Sequence, residues 1–182
     1  MSFKISTCEM TEERKGDEAM GFLGGAILDM FFHDTSNCYS VDLLLGLKDS
    51  YLLSCTEESG PVCGVFAVHI NYAVHGPDCY VNIAYTRKDF RQRGVFGALL
   101  DFTRNILPDI AGIDYDTISF GVFDHNLTMA QVMRKSGCLP VKHIADLEAT
   151  IYSFPRNASA LPRLRALAAT FKNGTDAVRL SA

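Results

Sequence analysis

Between Tyr51 and Thr86 the sequence strings together three apolar runs, 51–57 (YLLSCTE), 62–73 (VCGVFAVHINYA) and 79–86 (CYVNIAYT). Only two short breaker segments, ESGP and HGPD, separate them. Runs of this length, rich in β-branched and aromatic residues and joined by Gly-Pro turns, predict an antiparallel meander. The period then changes. Val95, Phe96, Leu99, Leu100 and Ile106 lie on one helical stripe over 94–107, closed by Pro108. The next apolar run, 117–123 (TISFGVF), again reads as a strand. A strand, a helix and a further strand make a crossover, and crossovers join parallel neighbours. The sheet must therefore be mixed, which excludes both a pure meander and a pure parallel fold.

The flanking segments extend this frame. Residues 3–7 (FKIST) read as a first strand, and Met20, Leu23, Ile27 and Met30 give helical spacing between Thr11 and His33. Gly21, Gly24 and Gly25 weaken that helix and suggest close packing or a kink. A helix is expected from Asn126 to Ser136 with Gly137 at its C-terminal cap, and 139–154 supplies one or two more strands. The class expected is α/β (α+β), a mixed, mostly antiparallel central sheet of about six to seven strands with helices on both faces. Residues 1–154 form the domain. Residues 155–182 form a basic tail, with Arg156, Arg163, Arg165, Lys172 and Arg179 against Asp176, and a peripheral helix over 161–172 ending at Asn173-Gly174.

Charge and composition narrow the function. A net charge of -4 leaves no basic face for a general nucleic-acid binder. The polar, acidic start has no signal-peptide pattern and no run is long enough to span a membrane, so a cytoplasmic protein is expected. Six scattered cysteines, at 8, 38, 55, 63, 79 and 138, form no metal-ligand pattern and read as reduced thiols; no metal is expected.

Against that acidic background, Arg87, Lys88, Arg91 and Arg93 crowd one turn, "TRKDFRQRGVFGALLDF", between the third meander strand and its helix. The first N–H groups of a helix lack internal partners, and the helix dipole favours an anion beside them. A glycine there lets phosphate oxygens approach the backbone, and arginines add charge-assisted donors. A solvated charged loop capping a core helix explains the turn equally well.

Two motifs separate these readings. Arg91-Gln92-Arg93-Gly94-Val95-Phe96 resembles the Arg/Gln-x-x-Gly-x-Gly/Ala signature of the GNAT N-acetyltransferase superfamily. Residues 126–138 (NLTMAQVMRKSGC) resemble its downstream motif, in which an asparagine begins a helix and a glycine follows eleven residues later. Together with the strand and helix order, the resemblance covers about residues 3 to 154. It implies a GNAT-like acyl-CoA acyltransferase fold with acetyl-CoA as acyl donor. The pantetheine arm would pair with the backbone of Ala84, Tyr85 and Thr86. The pyrophosphate would sit on the N–H groups of Arg91, Gln92, Arg93, Gly94, Val95, Phe96 and Gly97. Asn126 matches the asparagine near the arm, and is equally suited to be a helix N-cap. The acceptor, a small molecule or a peptide amine, would enter between 20–46 and 69–78. A homodimer is compatible with this family; nucleic acid and membrane are not expected partners.

This sequence departs from the family pattern at three places. Phe96 occupies the second small position of the signature and is expected to turn inward. Met133 stands where many members carry a proton-donating tyrosine, and a thioether donates no proton. Tyr80 stands where several carry a basic glutamate. Alternation puts Tyr80, Asn82 and Ala84 on one face. The Ala84 N–H would polarise the thioester carbonyl, while Tyr80 and Asn82 are either a water relay or cross-strand packing residues. A lysine-like amine of pKa about 10.4 costs roughly 4 to 5 kcal/mol to deprotonate at pH 7, whereas an α-amine near 7.8 costs about 1. Without an evident base, a low-pKa amine is the easier acceptor. The implied activity is direct acetyl transfer to a primary amine in a ternary complex. The alternatives are a CoA-binding module without turnover and an acyltransferase for a longer acyl thioester. His69, His75, Asp78, Asp124 and His125 lie near strand ends as secondary candidates, with no triad order among them.

Overall fold

The computed structural model describes residues 3–9, 50–57, 60–73 and 76–179, together with Gly21 and Gly25. Seven strands are present: β1 (Phe3–Glu9), β2 (Ser50–Glu57), β3 (Val62–Ala73), β4 (Gly76–Thr86), β5 (Thr117–Phe123), β6 (Leu139–Ile144) and β7 (Ala149–Pro155). The described residues also form the α-helices α1 (Val95–Asn105), α2 (Leu107–Ala111), α3 (Leu127–Lys135) and α4 (Ala160–Arg179). The sheet order is β1-β2-β3-β4-β5-β7-β6. β1 with β2, β2 with β3, β5 with β7 and β6 with β7 all pair antiparallel. The β4-to-β5 connection runs through α1 and α2 between neighbouring strands, the expected crossover.

Within the described residues the elements expected at the outset are present, with shifted bounds. β4 begins at Gly76, so the predicted HGPD turn is shorter than its sequence suggests. Gly76 carries the positive φ of 111° that the bend requires. α1 ends at Asn105, ahead of Pro108 as expected, and Pro108 itself lies in the first turn of α2, where a missing N–H costs nothing. The C-terminal helix runs through Asn173-Gly174 to Arg179, because a helical glycine costs about 1 kcal/mol and is not an obligatory stop. Most of the expected helix between Thr11 and His33 lies outside the described residues. Gly21 and Gly25 are helical and exposed.

By its internal contacts the chain divides into two compact units, residues 1–69 with 81–111, and 70–80 with 112–182. The first has its core in Leu52, Leu53, Val65, Phe66, Ile83 and Leu99, all at most 1% exposed. Along β4, Val81, Ile83 and Tyr85 are buried, while Asn82, Ala84 and Thr86 are half-buried, the period-2 pattern of a strand with two unlike faces. In β3, by contrast, Val62–Val68 is buried without interruption. Gly64 interrupts that apolar run because α1 crosses it. A Cβ at Gly64 would lie 2.4 Å from Val95 Cγ1 and 3.1 Å from the Tyr85 carbonyl oxygen.

The second unit is built on β5, β7 and β6 with α3 and α4. Ile118, Phe120, Met133, Tyr152 and Leu164 form its core. Gly137, at φ 84°, closes α3 as anticipated. The segment 139–154 forms two strands joined by a short 3-10 turn, Ala145–Leu147.

Candidate functional site

β4 delivers the first part of the site. The Arg87 N–H donates to the Cys63 carbonyl at 2.9 Å. Antiparallel alternation then turns the backbone groups of Tyr85 toward β3 and those of Ala84 and Thr86 toward the opposite edge. The Thr86 carbonyl accepts a hydrogen bond from Arg91 Nε at 3.2 Å, consistent with that direction. Ala84, with Asn82 and Thr86 beside it on the half-buried face, thus offers a peptide N–H and C=O that β3 does not use. Tyr85 does not share this role: its side chain is buried and its carbonyl faces Gly64.

The turn after β4 forms the second part. Gln92 and Gly94 have φ of 63° and 89°, two left-handed residues flanking Arg93. Alternating handedness turns successive N–H groups to one side, an anion-binding concavity. Gly94 is the N-cap of α1, and the first intrahelical bond runs from the Ala98 N–H to the Gly94 carbonyl at 2.9 Å. By helix geometry the N–H groups of Val95, Phe96 and Gly97 precede that ladder and point outward along the axis. The Val95 side chain is buried, which anchors the turn. Gly97 is exposed, and a Cβ there would meet nothing within 4 Å. Phe96 turns inward as expected, its ring edge-on to the buried Phe66 at 5.2 Å. Its side chain therefore does not fill the concavity.

The cations are used differently from the sequence expectation. Arg93 was expected to offer its guanidinium to phosphate. It is bound to Glu57 at 2.8 Å and lies 4.9 Å from the Phe90 ring centre. Arg87 is held by Asp89 at 3.0 Å and lies 5.2 Å from the same ring. Two guanidinium groups on one aromatic ring brace the turn. The Arg91 N–H donates back to Lys88 at 3.3 Å and is not part of the concavity. Arg91 is exposed and tethered through Nε, and its terminal amino groups find no hydrogen-bond partner among the described residues.

Asn126, Tyr80 and Met133 belong to the second unit. Asn126 caps α3: its side-chain oxygen accepts from the Met129 N–H at 3.0 Å. Asn126→Ala should therefore cost about 1 kcal/mol of stability, read as a lower midpoint in urea. Met133 is fully buried, so its thioether fills core and takes no part in proton transfer. Tyr80 packs against β5. A Cβ on Gly121 would stand 2.5 Å from the Tyr80 hydroxyl, so Gly121 is the notch that admits the phenol. Burial first, and then the Asp78 charge, push the Tyr80 pKa up, against a backbone hydrogen bond from Gly121. Tyr80 is a neutral phenol near pH 7 and not a base.

Asp78 ranked as secondary in the sequence, yet it has the most developed polar environment of the strand-end residues. Its Oδ1 accepts from Thr117 Oγ1 at 2.5 Å and from Ser119 Oγ at 2.9 Å, and Ser119 bonds Ser153 at 2.7 Å. Burial nevertheless holds its pKa above the usual carboxylate value. A carboxyl whose folded pKa is raised stabilises the fold most below its unfolded pKa and loses that contribution as pH rises through the folded value. Asp78→Asn keeps an oxygen for both hydroxyls and removes the charge. The variant should unfold at higher urea than wild type at pH 7, with the difference vanishing as pH falls below 4. Equal midpoints at pH 7 would contradict the burial argument.

The remaining strand-end residues do not converge. Asp124 contacts His143 and Thr150, His125 stacks on Phe123 at 5.6 Å, and His75 lies outside the described residues. So do most of 20–46 and part of 69–78, where the acceptor entrance is expected. Cys8, Cys55, Cys63, Cys79 and Cys138 are free thiols. Burial pushes Cys55 and Cys138 up to about 12, which suits core packing and not nucleophilic attack. Among the described residues no cluster of His, Cys, Asp and Glu is placed to hold a metal ion, and no helix is long and apolar enough to cross a membrane.

No family model matches the sequence, and no curated protein sequence does. The structure, however, has the GNAT acyltransferase fold, a seven-stranded mixed sheet with helices. It is similar to an acetyltransferase of the GNAT family from Staphylococcus aureus, with a TM-score of 0.59, 13% identity and coverage of 85% of this chain and 100% of that one. An acyl-CoA N-acyltransferase from Pseudomonas aeruginosa gives 0.60 at 13% identity, covering 84% and 99%. The ribosomal-protein-S18-alanine N-acetyltransferase from Escherichia coli gives 0.56 at 12%, covering 85% and 95%.

Proposed function

We propose that this chain is an acyl-CoA-dependent N-acyltransferase that moves an acetyl group from acetyl-CoA to a primary amine within a ternary complex. One observation carries the reading: β4, with the Ala84 peptide facing away from β3, runs into a turn whose N–H groups converge at Gln92–Gly97. The chemistry fits a donor with a peptide-like arm and a pyrophosphate. The Ala84 and Thr86 backbone would pair with the arm, and the N–H groups of Arg93 to Gly97 would hold the phosphates. Arg91 would add charge at the rim. The Ala84 N–H would polarise the thioester carbonyl as charge develops on its oxygen.

The proton balance points to the acceptor. Attack forms a C–N bond and breaks the C–S bond; the amine loses a proton and the thiolate gains one. With Tyr80 a neutral phenol and Met133 buried, neither named position supplies a base, and the Met133 thioether supplies no acid. An amine that is substantially neutral near pH 7, such as an α-amine, then needs the least help. One of the similar structures is an N-acetyltransferase of a protein's alanine, an acceptor of that kind.

The test pairs calorimetric titration of acetyl-CoA with thiol release over a panel of α-amines, ε-amines and alkylamines. Saturable binding with release favouring α-amines is the expected result. Binding without release from any amine would instead identify a CoA-binding module, the reading that buried Met133 favours. Preference for a longer acyl thioester would change the donor, and absence of binding would end the proposal.

A further inference from the structure

We propose that the second unit holds a separate site for a small zwitterion with an apolar body, an α-amino acid of about leucine's size. The site is a partly open cavity of about 150 Å³ lined from β5, α3, β6, β7 and α4. Val122, Leu127, Tyr152 and Phe171 are the large apolar side chains of its lining. A volume of this size has room for a body about as large as benzene. Leu127 is 69% exposed, an unusual cost for a leucine at the edge of an otherwise polar rim.

Two charges stand at that rim. Arg134 makes one long hydrogen bond, 3.4 Å from Nη2 to the Tyr152 hydroxyl, and no carboxylate among the described residues lies within ion-pair distance. A guanidinium has five N–H donors in a fork that matches a carboxylate, so most of its capacity is unspent. Asp124 is fixed from behind: Oδ1 accepts from Thr150 at 3.0 Å, and Oδ2 lies 2.8 Å from His143 Nε2. Its side chain is 45% exposed, and an ionised carboxylate accepts about four hydrogen bonds, so it retains acceptors for an ammonium group. A cation and an anion beside an apolar lining select a ligand carrying both charges. A carboxylate alone meets the Asp124 charge uncompensated, and an amine alone meets that of Arg134. None of residues 84–97 lines the cavity, so the inference stands apart from the acyl-transfer reading.

The experiment uses the full chain without CoA and three probes: L-leucine, 4-methylpentanoate, which lacks the amine, and 3-methylbutylamine, which lacks the carboxylate. Amide chemical shifts and calorimetry should show saturable one-to-one binding of leucine, with each single-charge probe at least tenfold weaker. Arg134→Gln, at an exposed position, should weaken leucine at least tenfold and tighten 3-methylbutylamine, which no longer meets a like charge. Asp124→Asn should weaken leucine and tighten 4-methylpentanoate, which no longer meets a like charge. Equal binding of the three probes would show a charge-blind apolar cavity and overturn the proposal. So would the absence of saturable shifts at Val122, Leu127 and Tyr152 with leucine in the millimolar range.

Discussion

Gly94→Val should reduce acetyl-CoA affinity by about 100-fold or more while the chain remains folded. The backbone at Gly94 has φ 89° and ψ 5°, a region β-branched residues avoid. Holding a valine there costs about 1–3 kcal/mol. The space itself is open, since the nearest atom to a Cβ is the Phe3 ring at 3.8 Å. The penalty is therefore conformational, and a domain with some 5–15 kcal/mol of stability survives it. What does not survive is the alternation of handedness that converges the N–H groups. Losing one or two charge-assisted hydrogen bonds at about 1.5–3 kcal/mol each accounts for the affinity loss. Calorimetric titration, with a thermal melt on the same samples, separates the two effects. Gly97→Ala should bind more weakly than wild type yet melt slightly higher, because alanine favours the helix and its methyl enters the open side of the turn. Unchanged affinity in Gly94→Val would remove the cradle from the mechanism.

The largest effect on stability is expected at Gly64→Ala, a loss of about 3 kcal/mol from a single added methyl group. At 2.4 Å from Val95 Cγ1 the new Cβ overlaps a stiff, buried side chain, and the Tyr85 carbonyl at 3.1 Å blocks the alternative of moving β3. α1 must lift, and the turn it caps must lift with it. Val95→Ala alone should cost about 2 kcal/mol by leaving a cavity. The double variant should recover much of the sum, with a coupling of about 1–2 kcal/mol, because each change removes the other's defect. Urea unfolding of the four proteins measures the cycle, and strict additivity would show that the two residues do not meet.

Gly64 also shows where reading the sequence stops. A glycine inside an apolar strand signals a bulge or a close approach, but not which element approaches. The meander, the crossover, the Asn126 cap and the Gly137 stop were all legible, because each rests on local chemistry: period, turn residues and caps. Gly94 was legible for the same reason. The guanidinium of Arg93 was not. Its partner Glu57 lies on β2, distant in sequence, and nothing in "FRQRG" distinguishes an arginine that binds a ligand from one that braces a loop. Tyr80 was recognised as facing the same way as Asn82 and Ala84. That its hydroxyl rests in the notch at Gly121 depends on how β5 is placed beside it.

The sequence by itself determined the order and type of the described elements and the glycine at the start of α1, since turn chemistry and periodicity are properties of neighbouring residues. Only the tertiary structure decided which polar groups are already engaged. It bound Arg93 to Glu57, seated Asp78 against Thr117 and Ser119, and buried Met133. It left Arg134 and Asp124 with unspent capacity at the rim of one cavity. Hydrogen-bond saturation and desolvation are set by groups far apart in the chain, and these decide whether a polar side chain braces the fold or is available to a ligand.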